Sequence, residues 1–477
     1  MKRCPPEAVG IQPDGILAFI QDMQKQKIHL HALMILRHGQ VCAESHFAPW
    51  NNQDKHMLYS LSKSFTSTAL GFAVQDGLCT LEDSVIGYFP EYLPAQPCEN
   101  MQKLRIRHLL TMNTGHEKEP PLNGSCWEKN FLQSYIAHEP GTYFLYNTAA
   151  TYMLSAIIQK ITGKKLLQYL REKLLIPLGM SSDIWFEESP TGIAAGGFGL
   201  NVRIEDIARL GQFYLQEGAW QGKQLLSRDW IRNARSAWSD SSRTHDPTSD
   251  WGAGYGYQFW MCQPKNVYRG DGAFGQYCII LPDQDMVIAM NSGVTNMGAV
   301  MQSLWTHVLP AVDTLSGQSA LSRIPEHYVS PAYWEEHDLN ISEPIPDETW
   351  TGDYRLLDNP LHLEEIRVSR DALDFMIEGQ PSRIPLCSTG WTPCTLSRSD
   401  PSYLSGGYTH NPGFYQTAYV RASRRVQSLY LHFCYTETPF EDIFLIDFSD
   451  HGIQLHQNRL PSASEISYSC LGIRITD

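Results

Sequence analysis

Cysteine pairing is the first thing this chain lacks. It has eleven cysteines (Cys4, Cys42, Cys79, Cys98, Cys126, Cys262, Cys278, Cys387, Cys394, Cys434, Cys470), an odd number, scattered, with none spaced C-x-x-C. That pattern argues against a disulfide framework or a zinc site and for a reducing cytosol. No apolar run is long enough to span a bilayer, and Met1-Lys2-Arg3 leads into Cys4-Pro5-Pro6-Glu7 rather than an apolar segment. Neither a membrane span nor a signal peptide is therefore expected. Positive charge is also scarce: 37 Lys and Arg against 51 Asp and Glu give a formal net charge of −14. This disfavours a general nucleic-acid or anionic-membrane surface and favours solubility. Repeats and low-complexity tracts are missing as well. What remains reads as a cytoplasmic protein of 477 residues, 42% hydrophobic and 18% charged, long enough for two domains with substantial cores.

Helical spacing of Ile16, Leu17, Phe19, Ile20 and Met23 predicts a helix over 13–27, opened by Pro13 and Asp14. Two short strands, 31–36 and 41–46, read as a hairpin about the four residues Arg37-His38-Gly39-Gln40, with His38 and His46 as turn and surface residues. Helices are expected at 104–112 and 149–160, and the stretch 161–237 should be mostly helical apart from Gly196-Gly197-Phe198-Gly199. That glycine run lacks the strand–helix setting of a phosphate-binding loop. Periodicity then changes. The alternation over 251–260, the short run 267–269, and the pair 274–282 and 286–290 read as strands, followed by a helix over 297–312. The economical fold class is α+β, an α/β sandwich: an antiparallel sheet flanked by terminal helices with an inserted helical lobe, over residues 1–335. From 342 to 477 short alternating runs (350–354, 361–366, 372–377, 429–434) predict a C-terminal all-β domain, a small barrel or sandwich, joined through Glu335-Glu336-His337-Asp338.

The chemistry gathers at Ser60-Leu61-Ser62-Lys63, ahead of the apolar run 65–74 and the stop at Gln75-Asp76-Gly77. A helix here would be buried nearly all round. Ser60 would stand at its positive N-terminus, with Lys63 one turn on and on the same face. A serine nucleophile with a lysine base requires that arrangement. An N-capping serine beside a solvated lysine gives the same spelling, so the tetrad needs company.

Company is present. Arg107-His108-Leu109-Leu110-Thr111, Pro140-Gly141-Thr142 shortly before Tyr146, and Gly254-Tyr255-Gly256 before the last strands follow the tetrad in order. Over about residues 5–312 the chain resembles the serine β-lactamase/penicillin-recognising superfamily, and most closely its class C-like branch of β-lactamases, carboxylesterases, D-aminopeptidases and 6-aminohexanoate-oligomer hydrolases. The resemblance implies Ser60 as the acylated nucleophile, Lys63 as its proton acceptor, and Tyr146 as the tyrosine that relays the proton to the leaving group and helps activate water. Tyr146-Asn147-Thr148 departs from the family's Y-x-N; either Thr148 supplies the missing hydrogen bond or Asn147 does so after a local shift. The family's K-T-G or H-x-G is replaced by Arg269-Gly270-Asp271-Gly272-Ala273. Aligning Gly272 with the motif glycine makes the Ala273 N–H a second oxyanion donor beside that of Ser60, with Arg269 or Asp271 free to contact substrate or to be ordinary loop charges. Loss of the K-T-G cation puts recognition of a carboxylate, and hence penicillin turnover, in doubt.

The expectation is a serine hydrolase acting on a small-molecule ester or amide, with no metal or cofactor. A D-residue-specific peptidase or a β-lactamase is the alternative among enzymes, and a binding or sensory protein retaining the fold is the alternative outside them. Glu187, Glu188 and Asp183 read as a solvated face, and Trp127, Trp251 and Trp260 as either pocket wall or core.

Overall fold

Proline at the first helical position starts α1 (Pro13–Lys25), whose Ile16, Phe19, Ile20 and Met23 are buried on one face. It leads into β1 (His29–Arg37) and β2 (Gln40–Ala48). The strands run closer to each other than the sequence suggests: the turn is only His38-Gly39, with φ of 51° and 71°, the backbone that a two-residue hairpin needs. The computed structural model describes residues 1–313, 327–329, 348–377, 379–387, 390–397, 415–425, 427–461 and 467–475. The expected linker at 335–338 and the boundary at 342 lie outside the described residues.

Ser62–Gln75 forms α2, preceded by one 3-10 turn at Tyr59–Leu61, so Ser60 sits just ahead of the α-helix rather than in it. All residues from Ser62 to Ala73 are buried. Thr148–Thr162 (α3) and Ile204–Leu215 (α4) complete the helical layer beside it. The stretch 161–237 is less helical than expected: 185–186 and 200–202 pair as short strands with His56–Met57. The alternation over 251–260 also misleads. Only Trp260–Met261 (β3) joins the sheet, because Gly252 and Gly256 press so closely on the carbonyls of Asp246 and Ala234 that an ideal Cβ would lie 2.1 Å from each. Tyr255, between them, fills the core instead.

The sheet is completed by β4 (Tyr268–Gly272), β5 (Gln276–Leu281), β6 (Met286–Gly293) and β7 (His327–Val329), in the order β7-β2-β1-β6-β5-β4-β3. All pairs are antiparallel except β7 with β2. The helix expected over 297–312 begins as α5 (Met297–Ser303) and continues through a π turn and a 3-10 turn. Both faces of β1 are covered. Leu33 and Ile35 pack with α1 and α5, and Met34 and Leu36 with α2 and α4. That sandwich explains why β1 is a continuous apolar run rather than an alternating one.

The C-terminal unit is a ten-stranded antiparallel sheet with its own apolar core. Its strands are Gly352–Leu356 (β8), Leu363–Val368 (β9), Ala372–Ile377 (β10), Gln380–Pro385 (β11), Thr392–Ser397 (β12), Tyr415–Arg425 (β13), Ser428–Tyr435 (β14), Glu441–Ser449 (β15), Gly452–Leu460 (β16) and Ser467–Arg474 (β17). The order is β11-β10-β9-β8-β17-β16-β15-β14-β13-β12, and the edge strands β11 and β12 lie beside each other, making a near-barrel. Its β14–β15 turn reaches the sandwich: the Glu437 carbonyl accepts from Met57 N–H at 2.8 Å, and Phe440 packs edge-on against Phe274 with centroids 5.1 Å apart. No helix among the described residues is long and apolar enough to cross a membrane.

Candidate active site

Tyr59 adopts φ 46°, a left-handed conformation uncommon for a tyrosine. The 3-10 turn it opens presents Ser60 half-buried, while Lys63 on the first turn of α2 is only 1% exposed. Lys63 Nζ lies 3.0 Å from Ser60 Oγ, donates to the Gly197 carbonyl at 2.8 Å, and approaches Thr148 Oγ1 at 3.4 Å. Burial lowers its amine to about pH 7, against the opposing pull of Glu119 and Asp271. A substantial fraction of Lys63 is thus unprotonated near neutrality and able to accept the serine proton.

The phenol arrives from the helical lobe. Tyr146 immediately precedes the N-cap of α3; its ring stacks on Trp260 at 5.1 Å and meets Tyr255 edge-on at 5.9 Å. Lys63 Nζ stands 4.8 Å from the ring centroid, and the Ser60 side chain is close enough to the phenol to favour its ionised form. Burial raises the phenol pKa well above its ordinary value, and Asp271 raises it further. Tyr146 is therefore a neutral O–H at physiological pH, suited to relaying a proton. The two residues after it divide cleanly. Asn147 caps α3 by accepting from Ala150 N–H at 3.0 Å, whereas Thr148 turns its hydroxyl toward Lys63. Asn147 is fully buried in that capping role.

Strand β4 lies directly on the Ser60 turn. An ideal Cβ on Gly272 would sit 2.0 Å from the Leu58 carbonyl oxygen, and one on Gly270 would sit 2.4 Å from Leu61 Cδ1 and 2.5 Å from Ser64 Oγ. Only glycine permits this approach. Ala273, the next residue, is exposed. Because side chains alternate along a strand, Arg269 and Asp271 occupy the other face. There Arg269 is fully buried, its Nε 3.0 Å from Asp271 Oδ2, its Nη1 donating to the carbonyls of Asp250 and Met261 at 3.1 Å, and its plane over Trp251. The expected substrate contacts from Arg269 and Asp271 are not offered by exposed atoms: the two residues are engaged with each other. Asp271 acts on the site through its charge, felt by both Lys63 and Tyr146.

Four residues escape a reading by motif. Gly197 and Gly196 present carbonyls to Lys63 and Thr66, which share a face of α2. The glycine run had signalled only an interruption. Glu119 accepts from the N–H groups of Thr148 and Ala149 at the start of α3. Glu187 is the clearest correction to the sequence reading. Rather than standing on a solvated face it is buried, its two carboxyl oxygens have no hydrogen-bond partner among the described residues, and burial raises its pKa to about 8. Its neighbours do behave as expected, with Glu188 pairing with Lys165 and Asp183 with Arg203 at the surface. Of the tryptophans, Trp260 backs Tyr146, Trp251 packs under Arg269, and Trp127 is core beside Tyr152.

The model of the family described as Beta-lactamase matches residues 17–312, well over half of the chain. The chain belongs to the beta-lactamase family. Among its relatives, the 6-aminohexanoate-dimer hydrolase of Paenarthrobacter ureafaciens is 23% identical over 307 residues, covering 60% of this chain and 78% of that one. A family VIII carboxylesterase superposes with a TM-score of 0.51 at 16% identity, covering 65% of this chain and 99% of that one. The structure of SurE with D-Leu gives a TM-score of 0.51 at 18% identity and covers 89% of this chain and 96% of that one. The SurE likeness therefore extends beyond the sandwich into the C-terminal near-barrel, and both structural likenesses bear on the fold.

Proposed function

We propose that this beta-lactamase-family protein is a serine hydrolase that cleaves a small ester or amide through an acyl-enzyme on Ser60. The observation that carries the reading is the 3.0 Å contact of Ser60 Oγ with Lys63 Nζ, an amine lowered to about pH 7. Lys63 takes the serine proton as Oγ bonds to the substrate carbonyl carbon. The Ser60 and Ala273 N–H groups hold the resulting oxyanion, each worth about 3 kcal/mol. Collapse expels the alcohol or amine, which leaves with a proton from Tyr146, and Tyr146 recovers one from Lys63. Water then attacks the acyl-enzyme by the reverse relay, giving the carboxylic acid and free Ser60. Thr148 supports Lys63 in the role the family gives to asparagine. We further take 1–335 and 342–477 as the two domains, and the odd number of scattered cysteines, none spaced C-x-x-C, as favouring a reducing, cytoplasmic setting.

The experiment is a substrate panel. Hydrolysis of short p-nitrophenyl esters with little nitrocefin turnover is the expected result, because no lysine or histidine occupies the K-T-G position. Rapid nitrocefin cleavage would make the protein a β-lactamase, and release of D-alanine from D-alaninamide a D-residue peptidase. Fluorophosphonate labelling of Ser60 without turnover of any substrate would leave a binding protein.

A further inference from the structure

The β14–β15 hairpin carries a second cluster of chemically active side chains, at the seam with the catalytic sandwich. His432 and Cys434 are two apart on β14 and so share a face, and Glu441 on β15 is the register partner of Cys434. All three are buried, and their donor atoms lie within 4.8 Å of one another. Cys434 Sγ is 3.6 Å from His432 Nε2, and His432 Nε2 is 2.6 Å from Glu441 Oε2. From β1, His29 Nδ1 reaches the other carboxylate oxygen at 2.6 Å. Two residues along β1, His31 keeps a buried Nε2 with no hydrogen-bond partner among the described residues. Among the described residues no lysine or arginine pairs with Glu441; its ion-pair partners are the two imidazoles.

We propose that His432 Nε2, Cys434 Sγ and Glu441 bind one divalent transition-metal ion of the zinc type, with His29 holding the free carboxylate oxygen from outside. The donor set of imidazole, thiolate and carboxylate suits zinc. Charge supports the assignment: a dication with one thiolate and one carboxylate is neutral overall, which a buried seam requires. Distances fit as well. Tetrahedral zinc sets such donors roughly 3.3–3.6 Å apart; the sulfur–nitrogen separation already matches, and the nitrogen–oxygen contact need open by roughly 0.7 Å. His29 occupies the position of a partner that orients a ligating carboxylate. Binding releases the Cys434 thiol proton to buffer, leaves the His432 ring protonated on Nδ1 with any second ring proton also passing to buffer, and requires no redox step. Scattered cysteines conceal such a site, because strand register rather than chain spacing assembles it. The ion would stiffen the hairpin whose tip touches Met57 and Phe274, flanking Ser60 and Ala273.

The test uses the full-length untagged chain, stripped with EDTA and titrated with Co²⁺ alone. Expected are one Co²⁺ per chain, a near-ultraviolet thiolate-to-cobalt charge-transfer band, and a higher melting temperature at saturation. The band should survive alkylation of accessible thiols in the folded protein and vanish in Cys434→Ser. His29→Gln should weaken binding about 10- to 100-fold. A folded wild-type chain that gives no band, or loses it on surface alkylation, overturns the site and leaves a metal-free His29–Glu441–His432 hydrogen-bonded triad. A band that persists in Cys434→Ser overturns it equally. The wild-type spectra decide the matter even if the serine variant fails to fold.

Discussion

Lys63 offers the most demanding prediction, because its burial should show in both rate and stability. A lysine at its usual 10.5 is neutral about once in 3,000 molecules at pH 7, whereas Lys63, lowered to about 7 by burial, is neutral about half the time. That gives roughly a thousandfold gain in available base. The acylation rate should therefore rise about tenfold per pH unit up to near pH 7 and then level off. It is measured as kcat/KM for a p-nitrophenyl ester and, independently, as the rate of fluorophosphonate labelling. The same shift destabilises the fold. Between pH 7 and 10.5 the unfolded chain binds more protons than the native one, so stability rises with pH across that window. Below it, moving the amine from 10.5 to about 7 costs about 5 kcal/mol. Lys63→Met removes that cost but strips the Gly197 carbonyl of its donor, a loss of about 1–3 kcal/mol. The variant should be inactive yet more stable at pH 7, on the order of 2–4 kcal/mol by urea unfolding, with the difference shrinking toward pH 10. A rate profile flat down to pH 5, or a Lys63→Met chain less stable than wild type, would refute the argument.

Other perturbations separate the remaining roles. Tyr146→Phe keeps the ring on Trp260 but deletes the hydroxyl of the proposed proton relay; kcat should fall about 10²- to 10⁴-fold with KM nearly unchanged. Gly272→Ala drives a methyl into the Leu58 carbonyl and should cost at least about 1–3 kcal/mol of stability and most activity. An active, stable variant would show that β4 does not seal the Ser60 turn. Glu187→Gln should stabilise the protein increasingly from about pH 5 to pH 8. Its carboxyl, raised to about 8, keeps in the native state a proton that the unfolded chain has already lost, so wild-type stability falls across that window. Urea midpoints of the two chains that ran parallel over that range would mean that Glu187 is hydrated in solution.

What was legible in the sequence is what a single helical turn or strand can hold. Ser60 and Lys63 share a turn, so their meeting follows from local geometry alone, and the apolar run after them sufficed to bury the amine. Tyr146 could be named only through the order of the surrounding words, because 83 residues separate it from Lys63 and tertiary folding brings them together. Choosing between Asn147 and Thr148 turned on which one the helix would take as its cap, and the asparagine amide serves that end better than a threonine at the next position. The substitute for K-T-G resisted prediction for a different reason. Spelling made Arg269 and Asp271 attractive, but the pleat puts them on the face away from the serine once Gly270 and Gly272 are committed to it.

Glu187 and Gly197 show where pattern reading must fail. The pattern around them forecasts neither role: Glu188, next to Glu187, stands exposed, and the glycine run meets α2 only in the folded chain. Yet the two differ in consequence. The Gly197 carbonyl is satisfied by Lys63, so it stabilises the protonated amine and works against deprotonation. Glu187 is satisfied by nothing among the described residues, and when ionised it raises the pKa of Tyr59, the residue next to Ser60. A buried carboxyl with no hydrogen-bond partner among the described residues costs stability as it ionises toward pH 8, and the positive φ of Tyr59 adds a backbone cost nearby. Glu187→Gln removes the ionisation cost while keeping the size of the side chain, so its stabilising effect should be larger at pH 8 than at pH 5.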